Sequence, residues 1–169
     1  QRALYERWQA EGAGRFDDRG RYASVGRVNA GVLAGLLGHP YFKAPPPKSL
    51  DRFDFSLESL EPLELEDAAA TLVAFMAEAV KLGFEMMRQR PTEVVVCGGG
   101  RHNPEIMKAL AERLPMPVKT AEDHGWRGDS IEAEAFAYLA ARTAKGLPIS
   151  FPRTTGVPKP MTGGRIVRP

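Results

Sequence analysis

Apolar positions recur at helical spacing along much of the chain and bunch without interruption at one point. Between Glu64 and Arg90, the residues Leu65, Ala69, Leu72, Phe75, Met76, Ala79, Val80 and Gly83 fall on one helical stripe. Acidic residues gather at its start, where the helix dipole favours them. The spacing predicts one long helix over this stretch, stopped by Pro91. The run Glu93 to Cys97 reads differently. It is short, β-branched and continuous, which predicts a strand buried on both faces. Asn103 then offers an N-cap, with Pro104 at the first helical position and Leu114-Pro115 beyond the end. Residues 116–120, MPVKT, predict a second strand. Residues 128–146 predict a further helix with Asp129 as N-cap and Glu132 at the third helical position, a capping-box arrangement. Gly146 closes it.

The earlier part is more broken. Residues 1–12 read as a helix already under way, with Leu4 and Trp8 on one face. Gly12, Gly14 and the cluster from Asp17 to Gly20 mark a turn. Residues 21–28 have room for a short strand. Asn29 caps a helix running to about Leu37 and ended by Gly38. The segment 39–49 cannot be helical, because Pro45 to Pro47 favour extended geometry. A loop with a short turn follows to Leu63. Residues 149–169 hold four prolines and three glycines, so they read as a tail laid over a surface. Helix, strand, helix, strand, helix in this order implies an α/β layered domain with helices on the sheet faces.

Composition narrows the class without choosing a function. The 169 residues suit one domain, or one lobe of a larger protein. The formal net charge is +2 with both signs interspersed, so neither a basic stripe for nucleic acid nor an acidic tail stands out. Cys97 is the one cysteine; it excludes a disulfide within the chain and suits a reducing, cytoplasmic compartment. No apolar run approaches the ~18 residues of a membrane span, and no signal-peptide pattern is present. His39 and His124 lack the partner spacing of a metal site, and no metal ligand set is expected. Trp8 and Trp126 read as packing or rim residues. The start at Gln1, inside a helical pattern, reads as a fragment or trimmed chain.

The chemistry centres on Val94 to Pro104, VVVCGGGRHNP. Three glycines after a strand permit positive φ and let a ligand approach the backbone without meeting Cβ atoms. A helix begins within a few residues, at the end of the strand where ligands of such sheets bind. A plain strand-to-helix turn would use the same residues. The stretch fits neither the P-loop nor the dinucleotide fingerprint. If Gly99 takes positive φ, valine there would both strain the turn and block a ligand. His102 reads as making one local hydrogen bond, with catalysis as the lesser reading. Lys48 and Ser49 either touch a phosphate or end a solvated loop.

Several motifs together resemble the anhydro-N-acetylmuramic acid kinases of the sugar kinase, Hsp70 and actin superfamily. They are His39-Pro-Tyr-Phe42, Pro45-Pro-Pro-Lys-Ser49, the glycine stretch through Asn103-Pro104, and residues 128–137, GDSIEAEAFA, followed by TTGV. Any one alone is weak; all four in this order are specific. The resemblance implies an α/β actin/Hsp70-like (ribonuclease H-like) fold of two lobes, with the active site in the cleft. It implies use of ATP and Mg²⁺, a homodimer, and a place in the recycling of cell-wall sugars. It places Gly98, Gly99 and Gly100 in the adenosine-side loop and Asn103 on the nucleotide edge. Glu132 falls on a sugar-contacting carboxylate, a role that competes with the capping box for the same oxygens.

The chain departs from the family at residues 48–53, KSLDRF, where KSTGR is usual, although Arg52 still falls on the motif's arginine. Val73 and Met76 replace more polar residues and read as core. The family's catalytic base is an Asp in a D-T-G-P-G-N type motif, which this sequence lacks. Asp17, Asp18 and Asp51 stand in the wrong context to replace it. The resemblance therefore reads the chain as the C-terminal portion of such a kinase. Residues 1–150 would form the nucleotide-side lobe, and 151–169 a tail crossing toward the remaining, N-terminal portion. The chain alone is expected to be inactive and to expose an apolar patch where that portion would meet it. The alternative is a non-catalytic nucleotide-binding or regulatory module of the same superfamily.

Overall fold

The computed structural model describes residues 6, 9–10, 16–51 and 54–167. Leu4, Trp8, Gly12, Gly14, Arg52 and Phe53 lie outside them. Among the described residues five helices carry the fold: α1 (Ala30–Leu37), α2 (Leu65–Glu85), α3 (Pro104–Arg113), α4 (Ile131–Ala144) and the short α5 (Pro152–Thr155). Two strands, β1 (Val94–Val96) and β2 (Val118–Thr120), pair in parallel, with Val94 opposite Val118 and Val96 opposite Thr120. The order β1, α3, β2 is a strand–helix–strand crossover. The chain is α/β, as its pattern implies.

α2 is the spine. Its buried residues include Ala68, Ala69, Ala70, Ala74 and Ala77. Small side chains there let α1 and α3 come close. Around Ala77, Ala109 and Leu110 of α3 and Leu114 just past its end are buried, with Val94, Val96 and Val118 from the sheet packed against them. Around Ala68, the fully buried Leu60 meets Val32, Leu57, Leu63 and Leu72. Val73 and Met76 pack against the first of these clusters, so their reading as core holds.

Local signals set most of the boundaries. The Asn29 side chain accepts from Val32 N at 3.0 Å, and Gly38 N returns to Ala34 O. Asn103 caps α3 by accepting from Glu105 N at 3.0 Å and Ile106 N at 3.3 Å. Gly146 closes α4 with φ 65°, its N–H on Thr143 O. Thr71 is a fully buried hydroxyl with both functions used. It donates to Asp67 O and accepts from Asn29 N, tying the lead-in of α1 to α2.

Other expectations are corrected. Residues 21–25 form turns and not a strand; the Asp17 carboxylate gathers the N–H groups of Tyr22 and Ala23 and holds the chain in that shape. α2 ends at Glu85, five residues short of Arg90, so Pro91 does not stop it. Its packing stripe runs out first: Phe84 still meets the core, whereas Met87 is exposed. β1 is not buried on both faces. All three valines are half-buried: Val94 and Val96 pack against the core, and Val95 lines an open cleft. No residue of α4 is buried, and Phe136 and Tyr138 on it are exposed.

Within the proline segment Pro45, Pro46, Pro47 and Ser49 are exposed, whereas Lys48 is half-buried and held in place. Lys48 Nζ donates to Tyr41 O at 2.7 Å and lies 4.4 Å from the centre of the Tyr41 ring. Phe42 and Phe55 stack, and both meet Phe75 of α2 edge-on, with ring centroids within 5.8 Å, which fixes this segment to α2. Residues 151–167 are held at several points. They contain α5, bridge Ser150 to Met161, and return to α4 where Thr143 Oγ1 donates to Gly163 O. Gly156 rests on the proline segment so closely that a Cβ there would meet Pro47 Cγ at 2.8 Å.

Candidate functional site

The loop after β1 turns on a glycine conformation. Gly98 has φ 73° and ψ −177°, a conformation open essentially to glycine alone. Gly99 and Gly100 follow in the turn Gly99–His102, without positive φ. The conformational requirement therefore falls at Gly98 and not at Gly99. Gly98 N donates to Gly128 O at 3.0 Å, which joins this loop to the one before α4. The N–H groups of Gly99 and Gly100 have no hydrogen-bond partner among the described residues. A Cβ built on Gly98 or Gly99 meets nothing within 4 Å, so the space over the loop is open.

Beside it lies a cleft of about 500 Å³ lined by Val95, Cys97, Gly125, Trp126, Arg127, Ile131 and Glu134. The Cys97 thiol is exposed. Trp126 stands at the rim, 54% exposed, with its ring 5.3 Å from that of His124.

A buried guanidinium holds the loop from behind. The Arg101 side chain is 3% exposed. Its Nε and NH2 fork onto the Glu122 carboxylate at 2.8 to 3.0 Å. Its NH1 donates to Gly98 O and to Asp129 Oδ1, both at 2.7 Å. The Arg101 hydrogen bond holds the Asp129 carboxyl down at about 2, with the neighbouring His102 adding to it. The same guanidinium lowers Glu122, and the two carboxylates raise Arg101 in return.

The acid behaviour follows. Asp129 titrates lower in the folded chain than its ordinary ~3.9, so its ion pair stabilises the fold above that value. The contribution is lost as pH falls from about 4 toward 2. Acid titration followed by circular dichroism should show Asp129→Asn less stable than the parent near neutrality. The gap should close across that window. A gap that stays constant down to pH 2 would contradict the assignment.

The expected site residues are partly brought together. Gly98, Gly99 and Gly100 form the loop. Asn103 spends its Oδ1 on capping α3, as its sequence position suggests, which leaves its amide for any ligand. Asp129 does not cap α4. Ser130 holds the capping position, no side chain closes it, and the Asp129 carboxylate is turned to Arg101. The capping box fails with it. The Glu132 carboxylate is exposed and does not line the cleft, whereas Glu134 does and pairs with Arg127. His102 is exposed, with Nε2 3.5 Å from Asp129. Lys48 is committed to Tyr41.

Arg101 and Glu122 are the residues that sequence reasoning missed. The one local hint is a charged side chain in a loop of small residues. Its partners stand 21 and 28 positions away, beyond any periodic pattern.

Comparison with known proteins decides the family. The sequence model of the anhydro-N-acetylmuramic acid kinases matches residues 2–169. The chain belongs to the anhydro-N-acetylmuramic acid kinase family. It is 78% identical over 161 residues to an anhydro-N-acetylmuramic acid kinase of Phenylobacterium zucineum (strain HLK1), covering 95% of this chain and 44% of that protein. A kinase of the same name from Caulobacter vibrioides (strain ATCC 19089 / CIP 103742 / CB 15) is 70% identical over 159 residues, 94% of this chain and 43% of the relative. One from Rhizobium rhizogenes (strain K84 / ATCC BAA-868) is 51% identical over 158 residues, with the same coverage. The chain thus spans less than half the length of these family members. Among its described residues, no helix is long and apolar enough to cross a membrane.

Proposed function

We propose that this chain forms the nucleotide-side part of an ATP-dependent kinase acting on anhydro-N-acetylmuramic acid. The observation that carries the reading is the Gly98–Gly100 loop. Its positive-φ glycine, two amides without a partner among the described residues, and open approach stand at the carboxyl end of a parallel strand, in a member of this family. Such amides suit the oxygens of a nucleotide, because N–H groups aimed at an anion need no rearrangement to donate. The Asn103 amide borders the same ligand, and the Glu132 carboxylate, free of any capping bond, contacts the sugar.

In the whole protein, water adds at C1 as the C1–O6 bond of the 1,6-anhydro bridge breaks, and the γ-phosphoryl group of ATP passes to O6, giving N-acetylmuramic acid 6-phosphate and ADP. Mg²⁺ arriving with ATP would neutralise charge on the phosphates. Among the described residues, no three His, Cys, Asp or Glu side chains converge. Coordination through the nucleotide's own oxygens therefore fits better than a cage built by this chain.

No aspartate of this chain is offered as the base. Asp17, for one, is occupied in holding the turn at Tyr22 and Ala23. The motif order supports reading the chain as the C-terminal portion, with residues 1–150 as the nucleotide-side lobe and the base supplied by the remainder. That remainder would cover α4 and the open side of β1, and 151–169 would border it. A cytoplasmic homodimer belongs to the same reading.

Two measurements test it. ATP-dependent phosphorylation of anhydro-N-acetylmuramic acid is expected from the full-length protein and not from the 169-residue chain. A full-length protein that binds no ATP would sink the reading. Turnover by the chain alone would sink the division of labour.

A further inference from the structure

The buried ion pair behind the glycine loop reaches further than stability. We infer that Arg101 is a positioning residue, which aims the Gly99 N–H at the nucleotide by anchoring the other end of the same peptide unit. The inference rests on reading this loop as the nucleotide side.

The geometry is direct. A trans peptide is planar, and its C=O and N–H point in opposite directions. Gly98 O and Gly99 N–H belong to one such unit. Gly98 O accepts from Arg101 NH1 at 2.7 Å and from Arg101 N at 3.3 Å. With the carbonyl held inward by two donors, the amide of that unit must face outward, where the approach is open and no acceptor among the described residues meets it. Gly98 alone has little to hold this orientation, since glycine is the residue freest to rotate.

The anchor is itself fixed. Glu122 lies in the turn after β2 and Asp129 just before α4, so three separate segments meet on one planar group. Arg101 and Thr71 are the buried polar side chains among the described residues. Burying a guanidinium is costly unless its donors are matched, and here all three nitrogens are. Gly128 completes the cradle. A Cβ there would lie 2.4 Å from Arg101 Nε and 2.7 Å from Glu122 Oε1, so any side chain would push the fork aside. Lysine could not reproduce the arrangement, because it offers a single ammonium where the site uses a planar fork.

The test uses the full-length protein, with ATP and the anhydro-sugar varied separately. Arg101→Met should raise the KM for ATP by about tenfold or more, the loss of a charge-assisted contact. The KM for the sugar should stay within about twofold. Arg101→Lys should recover part of the ATP effect, since one donor can still reach Gly98 O. A merely structural role predicts otherwise: lower thermal stability, fewer active molecules and an unchanged KM for ATP. That result would overturn the inference. If Arg101→Met does not fold, Glu122→Gln and Asp129→Asn decide, because the Asp129 side chain is exposed and that of Glu122 is half-exposed. Each should raise the KM for ATP by an intermediate factor; no change in either overturns the inference. Wild-type protein that binds no ATP overturns the nucleotide reading and this inference together. Wild type that binds ATP, with the variants unchanged, overturns this inference alone.

Discussion

Replacing Gly26 with alanine is expected to destabilise the protein by at least about 3 kcal/mol, the upper range for forced overpacking. The reason is contact between two backbones. A Cβ at Gly26 would lie 1.9 Å from Glu66 O, 2.3 Å from Glu66 C and 2.9 Å from Asp67 N. These atoms belong to the first turn of α2 and cannot rotate away. Relief requires the whole lead-in of α1 to lift off α2. That would break the bonds from Arg27 N to Asp67 Oδ1 and from Asn29 N to Thr71 Oγ1, and leave the buried Thr71 hydroxyl without a donor. In thermal unfolding the midpoint should fall by about 6–12 °C. Gly35→Ala is the control. It lies inside α1 with open space where its Cβ would go, so it should stabilise by about 0.5–1 kcal/mol. A Gly26→Ala midpoint within about 2 °C of the parent would show that the contact is not tight in solution.

Gly98→Ala should separate strain from obstruction. Its Cβ would meet nothing within 4 Å, so no clash opposes the substitution. The cost lies in the backbone, where φ 73° with ψ −177° is a region that alanine avoids by about 1–3 kcal/mol. Relaxing it turns the peptide that carries the Gly99 amide, so ATP affinity should fall by about tenfold or more as well. Gly99→Ala makes the contrast. Without positive φ it should change stability by less than about 0.5 kcal/mol. Its methyl group would stand in the open approach to the loop, and ATP affinity should still drop. Melting curves and ATP titrations of both variants in the full-length protein check this. Equal losses of stability in the two would refute the assignment of the strained position to Gly98.

Sequence and structure agree where a signal is local. Asn29, Asn103 with Pro104, and Gly146 each declare a helix end through groups a few residues apart, and each does so in the fold. The β-branched run at Val94 forms its strand, and the glycine loop follows it. Agreement fails where tertiary partners override a local pattern. Asp129 has the right spacing to cap α4, yet a buried guanidinium 28 positions earlier holds its carboxylate more strongly than a backbone amide would. α2 stops where its packing partners end and not at the next proline. Lys48 looks free in the sequence because its acceptor is a backbone carbonyl seven residues earlier, which no residue type announces. At the candidate site the glycines were legible and their support was not. Arg101 and Glu122 approach each other only once β1 and β2 are paired.

That pairing is three residues long on each strand, too short for its own contacts to resist sliding by much. A shift of one residue would carry Gly98 about 3.3 Å along β2 and would turn Val94 and Val96 away from the core. Arg101 reaches from the end of β1 to Glu122 beyond the end of β2, through bonds of 2.8 to 3.0 Å. Such a slip would break both prongs at once. The fork is therefore also an alignment pin: it fixes which residues of the two strands stand opposite each other, from a position outside the strands themselves.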